Sequence, residues 1–180
     1  MEERERNMEE RERNIEKPIY VTRFNDETYK QYVEYCKKYE DIKCIYNAPV
    51  KFNDKTREND NIYVLEMNNS LNKIMGIGRI SRRMYLRKHR MYQDMNYNRY
   101  SYEGKQHKHV DNFPDNLREK VEKIEKVIFY TKGHIKRGHG IQCLPLNAYR
   151  VCKNNDERED LTLYDVINNY FAIDTNSTLN

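Results

Sequence analysis

After the boundary at Pro18, Ile19-Tyr20-Val21 reads as a short strand. Tyr29, Val33 (with Tyr32) and Cys36 then recur at helical spacing, and Asn25 or Asp26 can cap a helix running to about Tyr39. Ile42 to Tyr46 predicts a strand, and the polar stretch Asn47 to Asn61, broken by Pro49, a loop. The near-continuous apolar run Ile62-Tyr63-Val64-Leu65-Glu66-Met67 predicts a central strand. Asn68 to Asn72 reads as a five-residue turn, and Ile74 to Ile80 as the returning strand of a hairpin.

Further along, Ser81 to Gln93 predicts a helix with Arg83, Arg87 and Arg90 on one face and Met84, Lys88 and Met91 on another. Arg99 to Glu103 alternates like a strand. Pro114 starts a helix to about Lys126 with Leu117, Val121 and Ile124 inward, and Val127-Ile128-Phe129-Tyr130 either extends it or forms a strand. Ile141 to Leu146 and Ala148 to Val151 read as short extended pieces. Leu161 to Phe171, capped by Asp160 or Thr162, closes as a helix with Leu163, Val166, Ile167 and Tyr170 inward. The expectation is one compact α+β domain over residues 18–173, a small mixed sheet or barrel flanked by about three helices. A polar tail, 174–180, follows it.

Composition narrows this. Hydrophobic residues make up 37% and charged residues 34% of the 180, against the usual ~45–50% and ~25%. A small core must therefore lean on the 16 tyrosines, which join an apolar face to a polar tip. Residues 1–17 open with MEERERN twice; only the Met of each heptad is apolar, so a charged tail, disordered or a fraying helix, is expected. That opening lacks the apolar segment of a signal peptide, and no apolar run approaches ~18 residues. Cys36, Cys44, Cys143 and Cys152 have no Cys-x-x-Cys spacing, which suits reduced thiols in a cytoplasmic or nuclear setting, or a virion.

Charge changes the picture more. Between Lys73 and His109 stand Lys73, Arg79, Arg82, Arg83, Arg87, Lys88, Arg90, Arg99, Lys105 and Lys108 against only Asp94 and Glu103, in a chain whose formal charge is +4. Tyr85, Tyr92, Tyr97, Tyr100 and Tyr102 are interleaved. Cations that neutralise phosphates, spaced by rings that stack on bases, are what a nucleic-acid surface needs. The alternatives for such a run are a solvated face or a protein-partner surface. A second basic segment, Lys132 to Gly140, has Lys132, Lys136 and Arg137 framed by Gly133, Gly138 and Gly140, and reads as an anion cradle or a mobile loop.

Catalytic and metal motifs are thin. Gly76 and Gly78 leave two side chains missing from one strand face, which predicts a barrel bend or bulge; Gly76-Ile77-Gly78-Arg79-Ile80-Ser81 lacks the features of a dinucleotide or phosphate loop. Cysteine spacings of seven and eight intervening residues do not suit a zinc knuckle, leaving His134, His139 and Cys143 as a set that could converge. No nucleophile elbow or metalloprotease motif occurs. No cofactor is implied.

The segment Asp60-Asn61-Ile62-Tyr63-Val64-Leu65-Glu66-Met67 followed by Ile74-Met75-Gly76-Ile77-Gly78-Arg79-Ile80 resembles the barrel hairpin of the PUA-like superfamily, especially its EVE and YTH-like branch. The resemblance covers about a tenth of the chain. It implies a small, partly open β-barrel that binds RNA or modified bases, and assigns no pocket residue. The composition, rich in residues with A/T-rich codons, and the duplicated terminus resemble proteins of large DNA viruses. The function expected is therefore non-catalytic nucleic-acid binding, RNA slightly over DNA. Its contacts would be Arg79, Arg82, Arg83, Arg87, Lys88, Arg90, Tyr92, Tyr97, Arg99, Tyr100, Tyr102, Lys105, Lys108, Lys132, Lys136 and Arg137. The alternative is a virion structural or genome-packaging protein with viral or host protein partners, and the third a small enzyme.

Overall fold

The structure, a computed structural model, describes residues 17–57, 59–83, 89–153 and 161–176. A mixed five-stranded sheet has β3 (Ile62–Asn68) at its centre. β4 (Lys73–Ile80) and β6 (Gln106–His109) lie to one side of it, and β1 (Tyr20–Phe24) and β7 (Gln142–Cys143) to the other. β1 runs parallel to β3, and the other pairs are antiparallel. A second sheet pairs β2 (Cys44–Ala48) with β5 (Tyr100–Gly104). The fold is α+β with a small mixed sheet; among the described residues no closed barrel forms.

The apolar run at β3 is continuous because both its faces are covered. Tyr63, Leu65 and Met67 face a helical layer, whereas Ile62 and Val64 face the layer holding β2, β5 and α1 (Asp26–Lys38). The helical layer is α2 (Asp115–Tyr130), α3 (Leu146–Cys152) and α4 (Leu163–Asn176). Leu117, Val121, Ile124 and Ile128 form the buried stripe of α2, and Val127 and Phe129 widen it, so the helix continues past Lys126. The stop comes at Thr131, whose hydroxyl donates to the Val127 carbonyl at 2.8 Å.

Local chemistry sets the other starts. Asn25 caps α1 in a reciprocal box: its Oδ1 accepts from Thr28 N at 2.8 Å, and Thr28 Oγ1 from Asn25 N at 3.0 Å. Thr162 and Asp165 do the same for α4; Asp160 lies outside the described residues. The β3–β4 hairpin turns through Asn69–Asn72, one residue shorter than expected.

Two expectations are corrected. Ser81–Gln93 is not a helix where it is described: Ser81–Arg83 and His89–Gln93 are irregular, and Met84, Tyr85, Leu86, Arg87 and Lys88 lie outside the described residues. Met91 and Tyr92 turn into the core, and the Asn98 side chain replaces helical partners by accepting from both of their amides at 3.0 Å. Ala148 to Val151 is helical, not extended. Pro145 stands at the helix start, where its missing N–H costs nothing, and Ala148, Tyr149 and Cys152 are buried.

Candidate nucleic-acid interface

The C-terminal end of β1 meets the start of α1, the end of β2, the hairpin turn and the Lys136–Gly140 loop around a pocket of about 190 Å³. Phe24, Tyr92 and Tyr97 give it aromatic walls, and Arg23, Asn47, Asn69, Lys136 and His139 supply polar groups. Tyr92 is buried and Tyr97 is 40% exposed, their rings edge to face at 6.2 Å.

Three side chains here are held firmly yet left with one polar atom over. Arg23 Nε donates to the Ile135 carbonyl and Nη2 to Gln142 Oε1 at 2.9 Å, while Nη1 is buried without a hydrogen-bond partner. No carboxylate pairs with it among the described residues, and burial pulls its guanidinium down from its ordinary value, though an arginine still stays charged. Asn47, 6% exposed, donates through Nδ2 to the His89 carbonyl at 2.7 Å and to Asn98 Oδ1 at 2.9 Å, which leaves Oδ1 unpaired. Asn69 donates to the Lys136 carbonyl at 2.9 Å and likewise keeps a free Oδ1. Gly138, at φ 147°, lets the loop lie on Arg23: a Cβ there would stand 2.9 Å from Gln142 Oε1 and 3.1 Å from Arg23 Cζ.

The expected contact residues scatter. Tyr92, Tyr97 and Lys136 share this pocket, and Arg137 is exposed on the same loop, with Lys132 exposed just before it. Arg79, Arg82 and Lys105 line a different, open groove of about 720 Å³ together with Lys43, Asp41, Asp60 and Glu103. Arg82 is already engaged there, donating to Asp54 at 2.7 Å. Arg83, Arg90 and Arg99 are exposed, and Arg87 and Lys88 lie outside the described residues. Lys108 sits over the Tyr170 ring, 4.7 Å from its centroid. Tyr100 is half-buried against the second core cluster. Tyr102 is a correction: it is 2% exposed, edge to face with Phe52 and accepting from Phe52 N at 2.8 Å, so its faces serve the core and not a base.

The Gly76–Gly78 strand conceals a polar cluster that sequence reading missed. Glu66, fully buried, accepts through Oε1 from the Tyr32 hydroxyl at 2.6 Å and the Tyr46 hydroxyl at 2.8 Å, with His107 Nε2 at 3.1 Å. Burial opposes the Glu66 charge, but the His107 imidazolium and the tyrosine hydroxyls outweigh it and hold the carboxyl below its usual range. Burial likewise works against His107, and Glu66 more than compensates, raising its pKa. A Cβ on Gly76 would stand 2.8 Å from His107 Nε2, and one on Gly78 2.1 Å from Tyr46 Oη. The glycines therefore make room for this cluster, and the expected bulge does occur: register shifts between Leu65 and Met67, at Glu66 itself. The signal available beforehand was a carboxylate inside an apolar run facing two glycines.

Among the described residues no group of three His, Cys, Asp or Glu is placed to hold a metal ion, and no helix is long and apolar enough to cross a membrane. No protein-family model, curated protein or solved structure matches the chain, so the reading of the site rests on its own residues.

Proposed function

We propose that this protein binds nucleic acid without catalysing a reaction on it, RNA in preference to DNA. The observation that carries the reading is the meeting of two segments distant in sequence, Tyr92–Tyr97 and Lys136–Gly140, at one pocket. The exposed Tyr97 ring offers stacking surface, with Tyr92 buried behind it, and Lys136, with Arg137 exposed beside it, offers charge for phosphates. Exposed Arg90 and Arg99 flank the tyrosine segment and extend the positive surface along it. The four free cysteines suit a reducing site of action, the cytoplasm or nucleus of a host cell, or a virion.

The test is binding of RNA and DNA pools to the full chain at two salt concentrations. With about six phosphate contacts, affinity falls by about 10³ between roughly 50 and 200 mM salt. Lys136→Ala together with Arg137→Ala reduces affinity across sequences and flattens the salt slope by about two. Absence of binding at the lower salt would refute the reading.

A further inference from the structure

The pocket at the end of β1 and the open groove differ in the charge of their walls. The groove mixes its cations with Asp41, Asp60 and Glu103, whereas no acid lines the pocket. Asp26 and Glu27, on the adjoining turn of α1, serve other partners: Asp26 accepts from Asn68 Nδ2 at 3.2 Å and Glu27 from Gln31 Nε2 at 3.3 Å. Arg23 and Lys136 bring fixed positive charge to the pocket, and His139 adds a ring nitrogen. Arg23 acts from within the wall, since its nitrogens are spent on Ile135 and Gln142 or buried; it sets the potential without touching a ligand. A cleft walled by one sign of charge concentrates ions of the other. The main chain adds donors. Gly138 (φ 147°) and Gly140 (φ 68°) have no side chains and so line the pocket with backbone alone. Residues 136–140 belong to no helix or strand, and among the described residues nothing accepts from their amides. Successive N–H groups of this kind make anion-binding concavities.

We propose that the pocket takes the terminal phosphate of a nucleic-acid strand, a monoester, in preference to the diesters within it. A monoester carries a charge of about −1.5 to −2 near pH 7 and three acceptor oxygens, which the loop amides, Lys136 and His139 can meet with charge-assisted hydrogen bonds. A diester carries a single charge. Size points the same way. At about 190 Å³ the space is below the ~300 Å³ of drug-sized sites, enough for a small anion and too little for a nucleotide. An internal phosphate has a nucleotide on either side and must lie across an open surface, whereas an end phosphate enters alone. Its strand then leaves past Tyr97, the 40% exposed ring of the lining.

This inference rests on the nucleic-acid reading above, and the phosphate could stand at either end of the strand. Isothermal titration of the full chain uses one single-stranded RNA sequence in three forms: 5′-phosphate, 3′-phosphate, and hydroxyl at both ends. Inorganic phosphate is titrated separately. The expected result is at least about tenfold tighter binding of one phosphorylated form than of the hydroxyl form. One more charge on a strand that already has one per phosphate changes non-specific binding only slightly, so a difference of that size reports a site. Excess inorganic phosphate at constant ionic strength removes it. His139→Ala with Lys136→Ala brings the ratio of the two affinities close to one, with the melting temperature nearly kept because both side chains stand on a surface loop. A ratio is unaffected by a general loss of strand binding. Equal affinity for the three forms, or a ratio unchanged in the double variant, overturns the proposal. If inorganic phosphate binds the parent and not the variant while no RNA binds, the phosphate site stands and the nucleic-acid reading falls. If RNA binds whatever its ends, the terminal-phosphate site falls and the nucleic-acid reading survives.

Discussion

Replacing Gly78 with alanine sets a methyl group 2.1 Å from Tyr46 Oη and 2.7 Å from Cys44 Sγ, both fully buried. Neither neighbour can retreat cheaply. Tyr46 donates to Glu66 at 2.8 Å, and Cys44 sits in the strand beside it. Overpacking of this kind costs about 1–3 kcal/mol. Turning Tyr46 away also breaks a hydrogen bond to a charged group, worth about 1.5–3 kcal/mol. The expected total is about 3–5 kcal/mol, a large share of the ~5–15 kcal/mol that holds a domain together. For a chain of this size that lowers Tm by roughly 10 °C. A double-mutant cycle isolates the cause. Tyr46→Phe removes the clashing oxygen and forfeits the same hydrogen bond, so Gly78→Ala with Tyr46→Phe loses less than the sum of the two by about 1–2 kcal/mol. Urea melts of the four proteins measure this. A Gly78→Ala protein within about 1 °C of the parent, or strictly additive costs, would show that the glycine does not make room for the tyrosine.

The Glu66–His107 pair implies a stability maximum in pH. Its His107 contribution is present below the ordinary 6.5 and lost as pH rises through the raised folded value; its Glu66 contribution is present above the ordinary 4.5 and lost as pH falls through the depressed one. Thermal melts from acid to alkaline pH show the basic limb flattened in His107→Gln relative to the parent, and identical profiles would refute the coupling. Removing residues 1–16, whose sequence has no apolar stripe, leaves Tm unchanged. Extending the deletion through Lys17 lowers it by a few degrees, because Lys17 pairs with Asp60 at 2.8 Å and lies 4.9 Å from the centre of the Tyr164 ring. A large loss from the shorter deletion would show that the heptads pack.

Periodic features could be read directly from the chain. The Leu117–Val121–Ile124–Ile128 stripe, the Asn25 cap and the β3–β4 hairpin all express local rules that tertiary packing only reinforces. The candidate surface was harder to read because its residues differ in fate, not in type. Tyr97 and Tyr102 are alike in sequence, yet one edges a pocket and the other closes the core against Phe52. Arg79 and Lys108 share a face of the sheet by register yet end apart, Arg79 with Lys105 at the groove and Lys108 on Tyr170, which depends on the partners each strand meets and not on the run of charge. Arg23, Asn47 and Asn69 escaped notice because a lone arginine in a strand and two asparagines in an asparagine-rich chain carry no pattern. Only the pairing of their other atoms, with partners up to 119 residues away, marks them out.

β7 covers the outer edge of β1 with only two residue pairs, Tyr20 with Cys143 and Val21 with Gln142, reinforced when Ile19 accepts from Leu144 N and donates to the Tyr149 hydroxyl. Everything that shields that edge is encoded some 120 residues after the strand it shields. At translation rates of about 5–20 residues per second, the ribosome makes the first strand roughly 6–24 s before its cover exists. Through that interval a Tyr-Val-Thr-Arg-Phe segment has one row of peptide groups unmatched. The nascent chain is therefore most exposed to pairing with its own copies before β7 is synthesised, and slower elongation over residues 25–144 lengthens that interval.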